Sequence, residues 1–272
     1  MKLGLAYGIV KIRPRFEEKD YLMSKKYKNP PIIEALCEIH FEPDASWDVD
    51  SITNILYEKV KDKFPKKFRL QLQTSQIDIG DSGTPGITEQ LLPLVRFQSS
   101  DEQALIQVAP NLLTINHLKP YTSWEEFLPL IEMGVNAYRE VANPKDIHRI
   151  ALRYINRIEI SSERISLEDY FEFRPFIGQK VLQDIRAFTM GIQILHEGAR
   201  DVLSVQLTTI NSEVPNTIAM LLDLTYSLAR PGDIMLDDIS EWVKVAHNHI
   251  EDAFEACISD QLRKLFEEVI EC

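Results

Sequence analysis

Residues 28–43 read KNPPIIEALCEIHFEP, and the run after the two prolines alternates. Ile33, Ala35, Cys37, Ile39 and Phe41 fall on one parity; Glu34, Leu36, Glu38 and His40 fall on the other. A period of two with one apolar side predicts a half-buried strand. Its polar side carries two carboxylates and an imidazole, groups that serve either acid–base chemistry or the register of a sheet. The fold reading grows outward from this strand.

WDVDSITNILYEKVKDKFP follows it, with Asp50 or Ser51 as the expected helix cap and Ile52, Ile55, Leu56 and Val60 as the buried stripe. Strands are expected at 68–75, 91–99 and 104–118, the last with a bulge or bend at Pro110. Ser123 and Glu126 form a capping box that opens a helix, and Pro129 inside it is expected to kink it. From residue 147 a similar order restarts: IHRIALRYINRIEI, the short SLEDYFEF, three more strands, then a helix from Ile239. That helix keeps its spacing as far as Phe266, about 40 Å at helical rise, long enough to span a domain or join a dimer.

The order implies an α+β fold, an antiparallel sheet with helices on one face, built from a duplicated β-α-β-β-β-α unit. The expected organisation is a basic N-terminal extension at 1–26, a first half at 27–144 and a second half at 145–272 that ends in the long helix.

Composition narrows the function classes. The chain has 272 residues, a net charge of −12 and 44% hydrophobic residues, ordinary for a globular protein. An acidic surface repels phosphate backbones, which disfavours nucleic acid as a partner. Residues 1–30 run against that trend, with eight Lys or Arg against three acids. Three cysteines without paired spacing suit a reducing cytoplasm, and the first residues lack a signal-peptide pattern. No apolar run is long enough for a membrane span.

Candidate site residues come from two patterns. Arg149, Arg153 and Arg157 alternate along one strand, beside Gln- and Thr-bearing strands, and make a face rich in directional hydrogen bonds, suited to recognising a partner. Asn111, Asn116 and Asn156 stand inside strand-like runs, where an amide either binds a ligand or satisfies neighbouring backbone. Glu34 and Glu38 are the first choice for catalysis, although no nucleophile accompanies them. His247 and His249 point apart on a helix and cannot grip one metal together, while His247 and Glu251, four apart, read as a surface contact. No P-loop, G-x-G-x-x-G, H-E-x-x-H, G-x-S-x-G or C-x-x-C is present, so neither a cofactor nor a metal is expected.

The blocks PPIIEALCEIHFEP, YEKVKDKFPKK, QVAPNLLTINHLKPYTSWEEF, RIALRYINRIEI, LEDYF and AHNHIEDAFEACISDQLRKLF together resemble a sporadically distributed prokaryotic family of unknown function. The resemblance runs from about Tyr27 to Phe266; residues 1–22 lie ahead of the family's usual start, and His40 stands where the family more often has Arg. It implies carriage on mobile prokaryotic cassettes and assigns no reaction and no catalytic residue. The leading expectation is a non-catalytic accessory protein of a defence or toxin–antitoxin type cassette, acting through a protein partner, with a homodimer as a further possibility. The alternatives are a hydrolase or nuclease using Glu34 and Glu38, and a nucleic-acid clamp on the arginine face.

Overall fold

A computed structural model describes residues 25–43, 48–79, 85–178, 180–182 and 184–269. Most of the expected basic extension, residues 1–24, lies outside the described residues. The short β1 (Lys26–Tyr27) precedes β2 (Ile32–Phe41), the strand read first in the sequence. Then come α1 (Val49–Val60), β3 (Lys66–Ile79), β4 (Pro85–Gln98), β5 (Ala104–Ala109), β6 (Leu112–Leu118) and α2 (Trp124–Ala142). The second half holds β7 (Ile147–Ile160), α3 (Leu167–Tyr170), β8 (Thr189–His196), β9 (Asp201–Ile210), β10 (Ile218–Leu228), α4 (Ile239–Cys257), α5 (Asp260–Leu265) and β11 (Glu268–Val269).

Nine strands form one sheet in the order β3-β4-β5-β6-β2-β7-β10-β9-β8, every neighbour antiparallel. The expected α+β class holds. The two halves are not separate sheets: β2 and β7 pair at the centre, with β6 on the far side of β2 and β10 on the far side of β7. The expected duplication is not shown: the sheet takes five strands from the first half and four from the second. The run at 104–118 is two strands, because Pro110 and Asn111 make a tight turn in which Asn111 takes φ 56°. The bulge expected there is therefore a hairpin.

Helices cover one face. Ala35, Cys37 and Ile39 are fully buried on β2, opposite Tyr154, Leu152 and Ile150 of β7. Phe41 stacks on Tyr138 of α2 with ring centroids 4.8 Å apart. Gly134 brings α2 so close to β6 that an added Cβ would lie 2.9 Å from Ile115 Cγ1. Ser123 caps α2 as its sequence predicted, accepting from Glu126 N–H at 3.3 Å, and the helix runs on through Pro129. For α1 the cap is Asp48, which accepts from Ser51 N–H at 2.8 Å, rather than Asp50 or Ser51.

The closing helix is shorter than its periodicity implied. α4 stops at Cys257 because Ile258 turns extended (φ −107°, ψ 151°) and bridges to Phe171. Ser259 then caps a separate α5. Leu262 and Phe266 are still buried, so the apolar spacing persists across the break. β1 and β11 form a two-stranded ribbon beside α4, with Lys26 opposite Val269 and Tyr27 opposite Glu268. Among the described residues no helix is long and apolar enough to cross a membrane.

Candidate functional site

The open face of the sheet gathers most of the residues singled out in the sequence, and of these it pairs Asn116 with Glu34. Arg96 donates through Nε and Nη2 to Gln107 Oε1 at 3.1 and 3.0 Å, and Gln107 Nε2 donates to Asn116 Oδ1 at 3.0 Å. Asn116 Nδ2 then donates to Glu34 Oε1 at 2.7 Å, which completes a chain across four strands. Glu38 lies 2.8 Å from His40 Nε2. That hydrogen bond holds the Glu38 carboxyl below the usual range against the opposing effect of burial, with Arg149 and Arg153 adding to it.

Two of the three arginines have acidic partners of their own. Arg153 meets Asp223 through two hydrogen bonds, and Arg157 meets Glu159 at 2.8 Å. Arg149 is exposed. Asn111 sits in the β5–β6 turn, where its carbonyl accepts from Phe41 N–H at 2.8 Å. Asn156 does not share the arginine face. It has the parity of Tyr154, is 1% exposed, and donates to Leu222 O at 3.0 Å on the helix side.

That side holds a cavity of about 510 Å³ between the sheet, the start of α2, α4 and the β1 ribbon. Tyr121 and Trp124 line it from the α2 entrance, Tyr154 and Asn156 from β7, and His247, Glu251 and Phe254 from α4. The flattest wall is a stack: the Trp124 and His247 rings lie 4.0 Å apart with planes 8° from parallel. The Tyr154 hydroxyl stands 3.2 Å from Tyr121 Oη and 3.2 Å from His247 Nδ1. His247 Nε2 lies 3.9 Å from Glu251 Oε2. The tautomer with its proton on Nε2 directs that proton toward Glu251 and leaves Nδ1 to accept from Tyr154.

Burial pushes the His247 imidazole down to about 4, so at neutral pH the ring carries no charge. Burial pushes the hydroxyls of Tyr121 and Tyr154 well above the usual phenol range. A ring that loses its proton so readily is a poor base near pH 7. These groups act as neutral hydrogen-bonding and stacking surfaces. At the rim, Tyr27 donates to Glu255 Oε1 at 2.6 Å, and Arg263 Nε donates to Glu255 Oε2 at 2.9 Å. Lys25 pairs with Glu268 at 2.8 Å.

No protein-family model and no curated protein matches the chain. The site therefore rests on its own geometry.

A shallower cleft of about 390 Å³ lies at the far end of α2, but Arg139 there is committed to Asp237 at 2.6 Å. Among the described residues no three His, Cys, Asp or Glu side chains are grouped to hold a metal. His247 and His249 do face apart, the latter stacking on Tyr226 and lying beside His196. The sequence reading treated His247 with Glu251 as a surface contact. The structure corrects this: His247 is mostly buried, and it forms the cavity wall with Trp124, the first residue of α2. The available signal was the cluster PYTSWEE at a capped helix start, seven ring-bearing or polar residues in front of an apolar stripe.

Proposed function

We propose that this protein is a non-catalytic binding protein, and that its helix-side cavity takes a small planar ligand with an apolar face and a hydrogen-bonding edge. The observation that carries the reading is the Trp124–His247 stack held in place by the Tyr121–Tyr154–His247 hydrogen-bond chain. A wall fixed before the ligand arrives avoids the entropy cost of ordering it. Aromatic faces suit heteroaromatic rings, and the cavity has the size of small-molecule sites, which run to roughly 300–1,000 Å³. The family resemblance supplies the setting: an accessory protein of a mobile prokaryotic cassette of the defence or toxin–antitoxin kind.

The test is a thermal-shift screen with nucleobases, nucleosides, indoles and other planar heterocycles. A ligand present at 100 times its Kd stabilises the folded state by about 2.7 kcal/mol, which is readily seen as a rise in Tm. At least one compound should raise the Tm of the parent and not that of Trp124→Ala. A panel that leaves the parent unmoved, or a shift that survives Trp124→Ala, sinks the reading.

A further inference from the structure

The nine-stranded sheet ends in two unlike edges. β3 opens with Lys66-Lys67-Phe68-Arg69, and charged side chains along an edge discourage other strands from adding to it. β8 reads TMGIQILH and holds no Lys, Arg, Asp, Glu or Pro. Its register with β9 is unbroken from Thr189↔Thr208 to His196↔Asp201, so no bulge turns this edge aside. Among the described residues no strand pairs with its outer side. Ile192 and Ile194 are each 41% exposed and Leu195 48%, although Ile192 and Ile194 stand opposite Val205 and Leu203 on the helix-covered face.

The direction of the free backbone groups follows from one hydrogen bond. Thr209 N–H donates to Phe188 O at 3.0 Å, which makes these two a hydrogen-bonded antiparallel pair. Such pairs alternate along a ladder. Met190, Ile192 and Ile194 thus turn their backbone groups toward β9, while Gly191, Gln193 and Leu195 turn theirs outward.

We propose that two copies of this chain pair β8 against β8, antiparallel, about a two-fold axis at Gln193. An axis perpendicular to the sheet keeps residues of one parity on one face, so the helix layers of both copies lie on the same side. Gln193 meets its own symmetry mate through outward-facing N–H and C=O groups. Ile192 meets Ile194 of the partner subunit in a non-hydrogen-bonded pair, the closer kind, with Cα atoms about 4.5 Å apart. Leu195 of the partner subunit comes opposite Gly191, which has no side chain and whose added Cβ would meet nothing within 3.6 Å.

Charge confines a second copy to this edge. At −12 apiece, two copies repel over most of their surfaces. β8 is uncharged from end to end, so self-pairing there sets no like charges opposite one another. The joined sheets would bury the exposed isoleucines and close an edge that otherwise invites irregular association.

Light scattering coupled to size exclusion should give the parent chain twice its 31.4 kDa mass. Ile194→Lys should give the single mass with an unchanged far-UV spectrum. For the register, Gln193→Cys in a Cys272→Ser background should form a disulfide-linked dimer on oxidation. A hydrogen-bonded pair sets its Cα atoms about 5.5 Å apart, inside the span a disulfide bridges. Leu195→Cys in the same background should not link to itself, since it faces Gly191. A parent of single mass at tens of micromolar overturns the proposal. So does a dimer that Ile194→Lys leaves intact, or one that links through position 195 and not 193. Should Ile194→Lys fail to fold, the two cysteine variants decide it alone.

Discussion

On the open face, Arg96, Gln107, Asn116 and Glu34 pass hydrogen bonds from strand to strand, and Glu38, Arg153 and Arg157 each have a partner. On the helix side, Tyr121, Tyr154 and His247 are joined just as fully, but around a space that no side chain among the described residues fills. Polar residues laid on one face in register spend themselves on each other, and water serves whatever is left. Polar residues between layers stand in a drier setting, where each bond counts for more and a missing one costs more. The contrast is one of consequence rather than of polarity.

The largest effect should come from the helix side. Glu255 is 3% exposed and takes bonds from Tyr27 and from Arg263, so Glu255→Ala leaves the Tyr27 hydroxyl unmet and Arg263 with only Asp260 and the backbone carbonyl of residue 255. A loss of about 3 kcal/mol is expected, from two hydrogen bonds to a charged group lost together. Urea denaturation measures it, and a loss under about 1 kcal/mol would erase the distinction between the faces.

Acid should act through His247. Its imidazole titrates at about 4 in the fold against about 6.5 in an unfolded chain. Below about 6.5 the unfolded chain takes up a proton that the folded one refuses until near 4. Stability is therefore full above that range and falls as pH drops through it, by at most ~3 kcal/mol. Urea midpoints at pH 7 and pH 4.5 should converge in His247→Gln relative to the parent. Equal acid slopes in the two proteins would place the sensitivity elsewhere.

Tyr154→Phe keeps the ring but removes the hydroxyl between Tyr121 and His247. About 1–2 kcal/mol should be lost, the cost of leaving buried partners unmet. The open face should respond least. Asn116→Ala cuts the four-strand chain for about 1 kcal/mol, and exposed Arg149→Ala should stay within about 0.5 kcal/mol of the parent. An Arg149→Ala variant that folds normally yet costs as much as Tyr154→Phe would reverse the ranking of the faces.

Much of the architecture was legible. The parity of residues 33–41, the Ser123 cap and the start of α4 at Ile239 each express a local rule, and each holds in the structure. The end of α4 was hidden because Leu262 and Phe266 keep helical spacing beyond the break, and only the bridge from Ile258 to Phe171 interrupts it. Asn156 was separable in principle, since it has even parity where Arg149, Arg153 and Arg157 are odd. The cavity was not. Its walls come from β1, the α2 entrance, β7 and α4, and the space between layers depends on how far apart those elements settle. No periodicity encodes that distance.

The β1–β11 ribbon gives the cavity an order of assembly in time. Tyr27 belongs to the first described strand, but its partners Glu255, Phe254 and Phe266 and its ladder with β11 lie more than 220 residues further along the chain. A ribosome delivering this chain presents the floor of the cavity on β7 well before its rim. Contacts between such distant segments form late, because the loop they close is long. A chain still being made has the floor of the cavity but no clasp, and the clasp shuts only after α5 and β11 have emerged.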